Sequence, residues 1–126
     1  MLKSILLVGA GSCIGGIFRY LLMLFIKPPH SGFPLGVLAV NILGCFLIGL
    51  FYGIFARTAT SHHEWLLFLT TGVCGGFTTF STFANDSIRL LQEQNWGSFG
   101  IYVLGSVLLG LAAVIAGYAL VHAFAR

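Results

Sequence analysis

The sequence predicts an all-α membrane protein with four membrane-spanning helices, the third of them broken near the middle of the membrane. Of its 126 residues, 58% are hydrophobic and only 7% are charged, and the mean hydropathy is +1.00. A soluble domain carries about 25% charged residues, which keep its surface in water. This chain must therefore place most of its surface in lipid. Because each crossing needs about 20 apolar residues, the length holds four crossings and leaves no room for a soluble catalytic domain.

The predicted spans follow one another with short connectors and form a single domain over residues 1–126. The first span covers residues 2–26 and ends before Pro28 and Pro29. Its apolar pattern continues past Arg19 without a cleavage site, which argues against a signal peptide. The remaining spans are predicted at residues 35–55, 65–91 and 99–123.

The basic residues give little topological bias. They are scattered rather than clustered, so the net charge of +3 predicts no nucleic-acid partner. With four spans, three basic residues fall on one side of the membrane and two on the other, an imbalance too small to fix the orientation. We therefore hypothesise that the chain inserts both ways and forms an antiparallel homodimer. The residues on the two sides are Lys3, Arg57 and Arg126 against Lys27 and Arg89.

Residues 70–83, near the middle of the third span, are rich in Gly, Ser and Thr. Gly costs about 1 kcal/mol relative to Ala inside a helix, so the adjacent Gly75 and Gly76 favour a break. Broken backbone at membrane depth persists only where protein or water satisfies its freed groups, and such breaks often line ion sites.

Phe80 and Phe83 follow this stretch and, being three residues apart, share one helix face. The hydroxyls of Thr79, Ser81 and Thr82 lie beside rings whose edges carry partial positive charge. Donors and ring edges together would replace part of a small anion's hydration shell without a full positive charge that would trap it.

Four polar side chains in the other spans are further candidates. Arg19 either has a role in function or assembly inside the first span, or its side chain extends to the membrane surface. Asn41 is either interhelical glue or a donor to a passing anion. Tyr102 and Ser106 share a face of the fourth span and form a plausible second polar wall.

Other patterns have simpler interpretations. The glycine-rich residues 9–15 lack the strand and the following acid of a dinucleotide fingerprint, so Gly11 and Gly15 are interpreted as a helix-packing face. The run 62–64 (His-His-Glu) is interpreted as a solvated connector rather than a metal site. The cysteines are expected to be small hydrophobic residues in helix interfaces; they are Cys13, Cys45 and Cys74.

Three segments of the chain together resemble the small bacterial fluoride channels of the Fluc family. Residues 72–83 (GVCGGFTTFSTF) are similar to the third-span signature of that family, residues 15–20 to its first-span motif and residues 36–41 to its second-span motif. The resemblance covers nearly the whole chain. It implies dual-topology dimers in the bacterial inner (plasma) membrane, with two fluoride pathways and a structural sodium ion (Na+) at the dimer centre.

The resemblance also assigns roles to individual residues. The sodium ligands would be the backbone carbonyls of Gly75 and Thr78 from both subunits, and Arg19 would belong to the vestibule. The rings of Phe80 and Phe83 would present their edges to fluoride. The other residues lining or supporting the pathway would be Asn41, Ser81, Thr82, Tyr102 and Ser106. The chain departs from the family pattern at Val37, Asp86 and Gly110.

The favoured function is a passive channel that lets cytoplasmic fluoride leave the cell, and not an enzyme. The alternative is a proton-coupled exporter of the small multidrug type, which needs a membrane-embedded carboxylate. Asp86 and Glu93 are its candidates, and both lie toward or beyond the end of the third span. A third alternative is a structural membrane protein that only packs against partners. It would leave the hydroxyl and phenylalanine side chains of the third span unexplained.

Overall fold

The computed structural model describes residues 1–58 and 62–124, and over these residues the fold is helical with no strand. Four helical stretches are long and apolar enough to cross a membrane, which confirms the predicted four-span, all-α architecture. The third stretch, His63–Gln92, consists of four pieces. In chain order the elements are α1 (Leu2–Phe25), α2 (Leu35–Phe55), α3 (His63–Leu67), a π-helical segment (Phe68–Cys74), α4 (Gly75–Phe77), α5 (Phe80–Gln92) and α6 (Trp96–Phe124).

Two spans begin earlier than predicted, for local reasons. The third begins at His63 rather than residue 65, because the first turn of α3 carries Glu64 where a negative charge suits the helix N-terminus. The fourth begins at Trp96 rather than residue 99, because the Asn95 side chain accepts a hydrogen bond from the Ser98 N–H at 3.3 Å and caps α6.

The helices pack through glycines. A Cβ atom on Gly15 would lie 2.8 Å from the Phe77 nitrogen, and one on Gly11 would lie 2.7 Å from the Phe68 carbonyl oxygen. The predicted packing face on α1 is therefore confirmed, and its partner is the third span. A Cβ on Gly49 would meet the Val114 backbone in the same way, so α2 and α6 pack backbone to backbone.

Polar contacts identify the two ends of the bundle. At one end Lys3 forms an ion pair with Glu64 at 2.7 Å, so the starts of α1 and α3 lie together. At the other end Arg89 donates to the Gly32 carbonyl at 3.1 Å, which joins α5 to the α1–α2 connector. Arg126, which was assigned to the first end, lies outside the described residues.

The cysteines occupy three different environments. Cys74 is buried and Cys45 is half-buried, as expected for small residues between helices. Cys13 is exposed on α1, so it does not lie in an interface between helices of the same chain. The reason is that α1 packs through its glycine face and turns Cys13 away from the third span.

Candidate ion pathway at the break in the third span

The third span is broken as predicted, but the break lies after the glycines rather than at them. Gly75 is helical, with φ −62° and ψ −39°. Thr78 and Thr79 are extended, with φ −82° and ψ 159° for the first and φ −148° and ψ 114° for the second. A Cβ on Gly76 would lie 2.7 Å from Ser12 Cα, so this glycine permits close packing on α1 instead of interrupting the helix.

Asn41 on α2 holds the extended backbone in place. Its Oδ1 accepts from the Thr79 N–H at 2.8 Å, and its Nδ2 donates to the Thr79 carbonyl at 3.1 Å. The orientation of the amide is fixed, because a backbone N–H only donates. Asn41 is therefore a brace between spans, which matches the interpretation as interhelical glue, and it satisfies both backbone groups of Thr79, the residue directly before α5.

Thr79 organises a cluster of hydroxyls at the start of α5. Its side chain accepts from the Thr82 N–H at 3.2 Å and so caps the helix, while its hydroxyl lies 3.0 Å from Thr82 Oγ1 and 3.4 Å from Ser81 Oγ. The sequence reasoning named the Thr79 hydroxyl but missed its role as a cap. The signal was a threonine placed directly before a helix start, where Thr is favoured.

Arg19 reaches into the break. Its Nη1 donates to the Thr78 carbonyl at 3.2 Å, and the residue is half-buried. Extension of this side chain to the membrane surface is therefore wrong. The guanidinium instead places a positive charge beside the non-helical backbone, where it partly satisfies a freed carbonyl.

The carbonyls of Gly75 and Thr78 have both lost the partners that a continuous helix would give them. Gly75 would accept from the Thr79 N–H, which donates to Asn41, and Thr78 would accept from the Thr82 N–H, which donates to the Thr79 hydroxyl. Gly75 is also exposed on the surface of the chain. Oxygen donors suit a hard cation such as sodium, so these two groups fit the predicted ligand set. Among the described residues no group of three or more His, Cys, Asp or Glu side chains is placed to hold a metal.

Four aromatic rings form a continuous chain that leads from the break to one end of the bundle. The Phe80 and Phe83 centroids are 5.7 Å apart, and Phe83 lies 5.1 Å from Tyr102. Tyr102 in turn contacts Phe33 edge-on, at 5.7 Å and an interplanar angle of 83°. Phe33 was not among the predicted residues, because it lies in a connector rather than a span. Tyr102 is fully buried, and its hydroxyl donates to Asp86 Oδ2 at 3.4 Å.

Most of the predicted residues line one cavity of about 350 Å³. It is lined by Asn41, Gly75, Thr78, Phe80, Phe83 and Ser106, among others. The Ser106 hydroxyl is buried, and among the described residues it has no hydrogen-bond partner. Four predicted residues do not line the cavity, namely Arg19, Ser81, Thr82 and Tyr102, although each contacts a residue that does.

Sequence reasoning missed part of the cavity wall. Cys45, Thr70 and Cys74 also line it, and two of these are the cysteines that were expected only to fill helix interfaces. Thr70 belongs to the π-helical segment, where its hydroxyl donates to the Leu66 carbonyl at 2.7 Å. Such wide turns are frequent at functional sites, but nothing in the local sequence distinguishes them from α-helix.

These features define a multi-pass helical membrane protein whose interior carries a braced, polar break. The sequence model of the family described as "CrcB-like protein, Camphor Resistance (CrcB)" matches residues 6–118, and the chain belongs to this family. The chain is 47% identical over 117 residues to a protein of Phocaeicola vulgatus, covering 92% of this chain and 96% of the relative. It is 47% identical over 120 residues to a protein of Bacteroides fragilis, covering 92% and 94%. A protein of Agrobacterium fabrum is 46% identical over 118 residues, covering 93% and 94%.

All three relatives carry the name "Fluoride-specific ion channel FluC". The resemblance drawn from the third-span motif is therefore confirmed, and the family is one of channels rather than enzymes.

Proposed function

We propose that the chain is a fluoride-selective channel through which cytoplasmic fluoride leaves the bacterial cell passively across the inner membrane. The observation that carries the proposal is the break itself, where hydroxyls, a braced backbone and phenylalanine rings meet beside one cavity. A membrane potential that is negative inside drives an anion outward by about 2.3 kcal/mol per 100 mV. An open anion path is therefore sufficient for export.

The chemistry along the path supports a small, strongly hydrated anion. Ser81, Thr82 and Ser106 offer hydroxyl donors, and Phe80 and Phe83 offer ring edges with partial positive charge. Neither kind of group carries a full charge, so an ion that enters is also able to leave. The charge of Arg19 lies nearby and attracts anions, and its hydrogen bond to the Thr78 carbonyl holds the guanidinium beside the break.

The exposed groups at the break support an antiparallel homodimer. Phe80 is 79% exposed in the single chain, and Gly75 and Ser81 are exposed beside it. Non-helical backbone at membrane depth is tolerated only where protein or water covers it, and a second copy is the cover we propose. The basic residues near the membrane surfaces are nearly balanced, with Lys3, Arg57 and Arg126 assigned to one side against Lys27 and Arg89 on the other, which supports insertion in both orientations.

A structural sodium ion at the centre of this dimer is the cofactor that fits the break. The carbonyls of Gly75 and Thr78 from both copies would hold it. When bound, the ion would neutralise the dipoles of two carbonyls that have lost their backbone donors at the break.

A proton-coupled exporter finds less support in the same region. Such a transporter needs a carboxylate that exchanges protons in the path. Asp86 accepts from the Tyr102 hydroxyl and lies 4.0 Å from Arg89, near the end of the third span. Glu93 lies beyond that span's last helical residue and is paired with Arg89 at 3.2 Å.

The proposal is tested by fluoride efflux from liposomes that contain the purified protein, under a potassium-ionophore potential and with chloride efflux measured in parallel. We expect fast fluoride efflux with little movement of chloride. We expect Phe80→Ile to slow this efflux, and the same exchange at the exposed ring near the end of α1, Phe25→Ile, to leave it unchanged. Folded, dimeric protein that passes no fluoride would refute the proposal.

A further inference from the structure

The α1–α2 connector contributes a ring to the aromatic chain that leads away from the break. Phe33 is half-buried and meets the fully buried Tyr102 edge-on at 5.7 Å. Tyr102 is itself the continuation of Phe80 and Phe83. The chain of rings therefore does not end inside the fourth span but runs on to the connector at the end of the bundle.

The Arg89 guanidinium lies between groups that adjoin Phe33 and Tyr102. Arg89 Nη2 donates to the carbonyl of Gly32, the residue before Phe33, at 3.1 Å. The same Nη2 lies 4.0 Å from Asp86 Oδ1, and the other oxygen of that carboxylate accepts from the Tyr102 hydroxyl. Glu93 fixes the second arm of the guanidinium, with Nη1 donating to Oε1 at 3.2 Å.

The connector backbone is itself well defined beside Arg89. Gly32 has φ +71°, a left-handed conformation that glycine adopts without strain, and its N–H donates to the Pro29 carbonyl at 3.0 Å. The Phe33 carbonyl accepts from the Leu35 N–H at 2.8 Å. The tight turn thus aims the Phe33 ring at Tyr102 and leaves the Gly32 carbonyl for Arg89.

We propose that Phe33 is the outermost ring of the fluoride path and that Arg89 is the positioning residue that sets both Phe33 and the Tyr102 hydroxyl. This inference rests on the proposed channel function and extends its path to the connector. The geometry supports it because each ring of the chain contacts the next, Tyr102 is fully buried between Phe83 and Phe33, and Phe33 is the partly exposed ring at the end of the bundle. Arg89 is occupied by the Gly32 carbonyl and two carboxylates, so its role is to orient these groups rather than to bind the ion.

The first test compares two substitutions of Phe33 in the liposome efflux assay. Phe33→Ile removes the ring and is expected to slow fluoride efflux about fivefold, which corresponds to the energy of one aromatic pair. Phe33→Tyr keeps the ring, and its efflux rate is expected to stay within about twofold of that of the unchanged protein. Phe25→Ile, the same exchange at an exposed ring near the end of α1, is the matched control and is expected to have no effect. Equal efflux from Phe33→Ile and the unchanged protein would overturn the inference, as would equal slowing by Phe33→Tyr.

The second test asks whether Arg89 acts through Phe33. Arg89→Gln alone is expected to slow efflux about fivefold, but to add less than about twofold when Phe33→Ile is already present, because both changes break the same contact. Effects that multiply would show that Arg89 acts independently and would overturn its positioning role. The slowing by Arg89→Gln is also expected to persist at high ionic strength, whereas a simple attraction of anions to a surface charge would be screened.

The unchanged protein separates failure of this inference from failure of the channel proposal. If it passes no fluoride, the channel proposal itself has failed. If it conducts while the Phe33 and Arg89 variants behave like the control, only the extension to the connector has failed. Each variant is first checked for the elution volume of the folded protein in detergent, so that lost efflux is not confused with lost fold.

Discussion

The brace between Asn41 and Thr79 makes a direct prediction about stability. Asn41→Leu keeps the approximate size of the side chain but removes both hydrogen bonds to the Thr79 backbone, which are 2.8 and 3.1 Å long and well within the range of good geometry. The Thr79 N–H and carbonyl then lose their partners in the middle of the third span, next to the start of α5. We expect the variant to be destabilised there and to conduct poorly.

The size of the effect follows from the two bonds. A hydrogen bond contributes about 1 kcal/mol net in proteins, and about 0.6 kcal/mol on average between membrane helices. Two bonds give about 1–2 kcal/mol, and the backbone groups left without partners raise the loss of unfolding free energy to about 2 kcal/mol. That value corresponds to about a 30-fold shift in the folding equilibrium.

The assay is reversible unfolding of the purified protein in mixed detergent micelles, with amide hydrogen exchange at Thr79 as a local readout. Asn85→Leu, at an exposed position of α5, is the matched control and is expected to change the unfolding free energy by less than about 0.5 kcal/mol. An unchanged unfolding free energy and Thr79 exchange rate in Asn41→Leu would show that Asn41 does not brace the break.

Three further predictions concern the fold and the ion sites. Gly15→Ala places a methyl group against the backbone of the third span and is expected to lower the unfolding free energy by about 1–3 kcal/mol. Gly9→Ala faces open space and is expected to be neutral or stabilising. Equal unfolding curves for the two variants would contradict this. Arg19→Gln removes the charge-assisted bond to the Thr78 carbonyl and is expected to cost about 1.5–3 kcal/mol in the same measurement, and no loss would show that the bond contributes nothing. Replacing sodium by N-methylglucamine throughout purification is expected to lower the midpoint of thermal unfolding, because a ligand that binds only the folded dimer stabilises it. A midpoint that does not depend on sodium would contradict a structural ion.

The sequence predicted the architecture well because hydrophobic length alone determines it. Four apolar stretches separated by prolines and polar connectors leave few other arrangements, and the largest differences in their bounds fall at the starts of the third and fourth spans. Asn95 moved the start of α6 to Trp96, since a side-chain cap depends on one rotamer rather than on hydropathy.

The sequence indicated which residues surround the break better than it indicated how they are arranged. The glycine pair drew attention to the correct stretch, but the break falls at Thr78 and Thr79, because Gly76 is used for close packing on α1. The partner of the freed backbone, Asn41, lies on another span, and no local pattern joins it to Thr79. The π-helical segment and the ring of Phe33 likewise arise from tertiary packing, which a single sequence does not encode in any short window.

The reversal potential in a planar bilayer shows whether the chain is a passive, fluoride-selective channel. With a tenfold fluoride gradient and equal chloride on both sides, the account predicts a reversal potential close to the fluoride equilibrium value, about 59 mV in magnitude for a monovalent ion. It also predicts that a pH gradient does not move this potential, because no proton is coupled to the ion. A reversal potential near zero, or one that shifts with the proton gradient, would contradict the account.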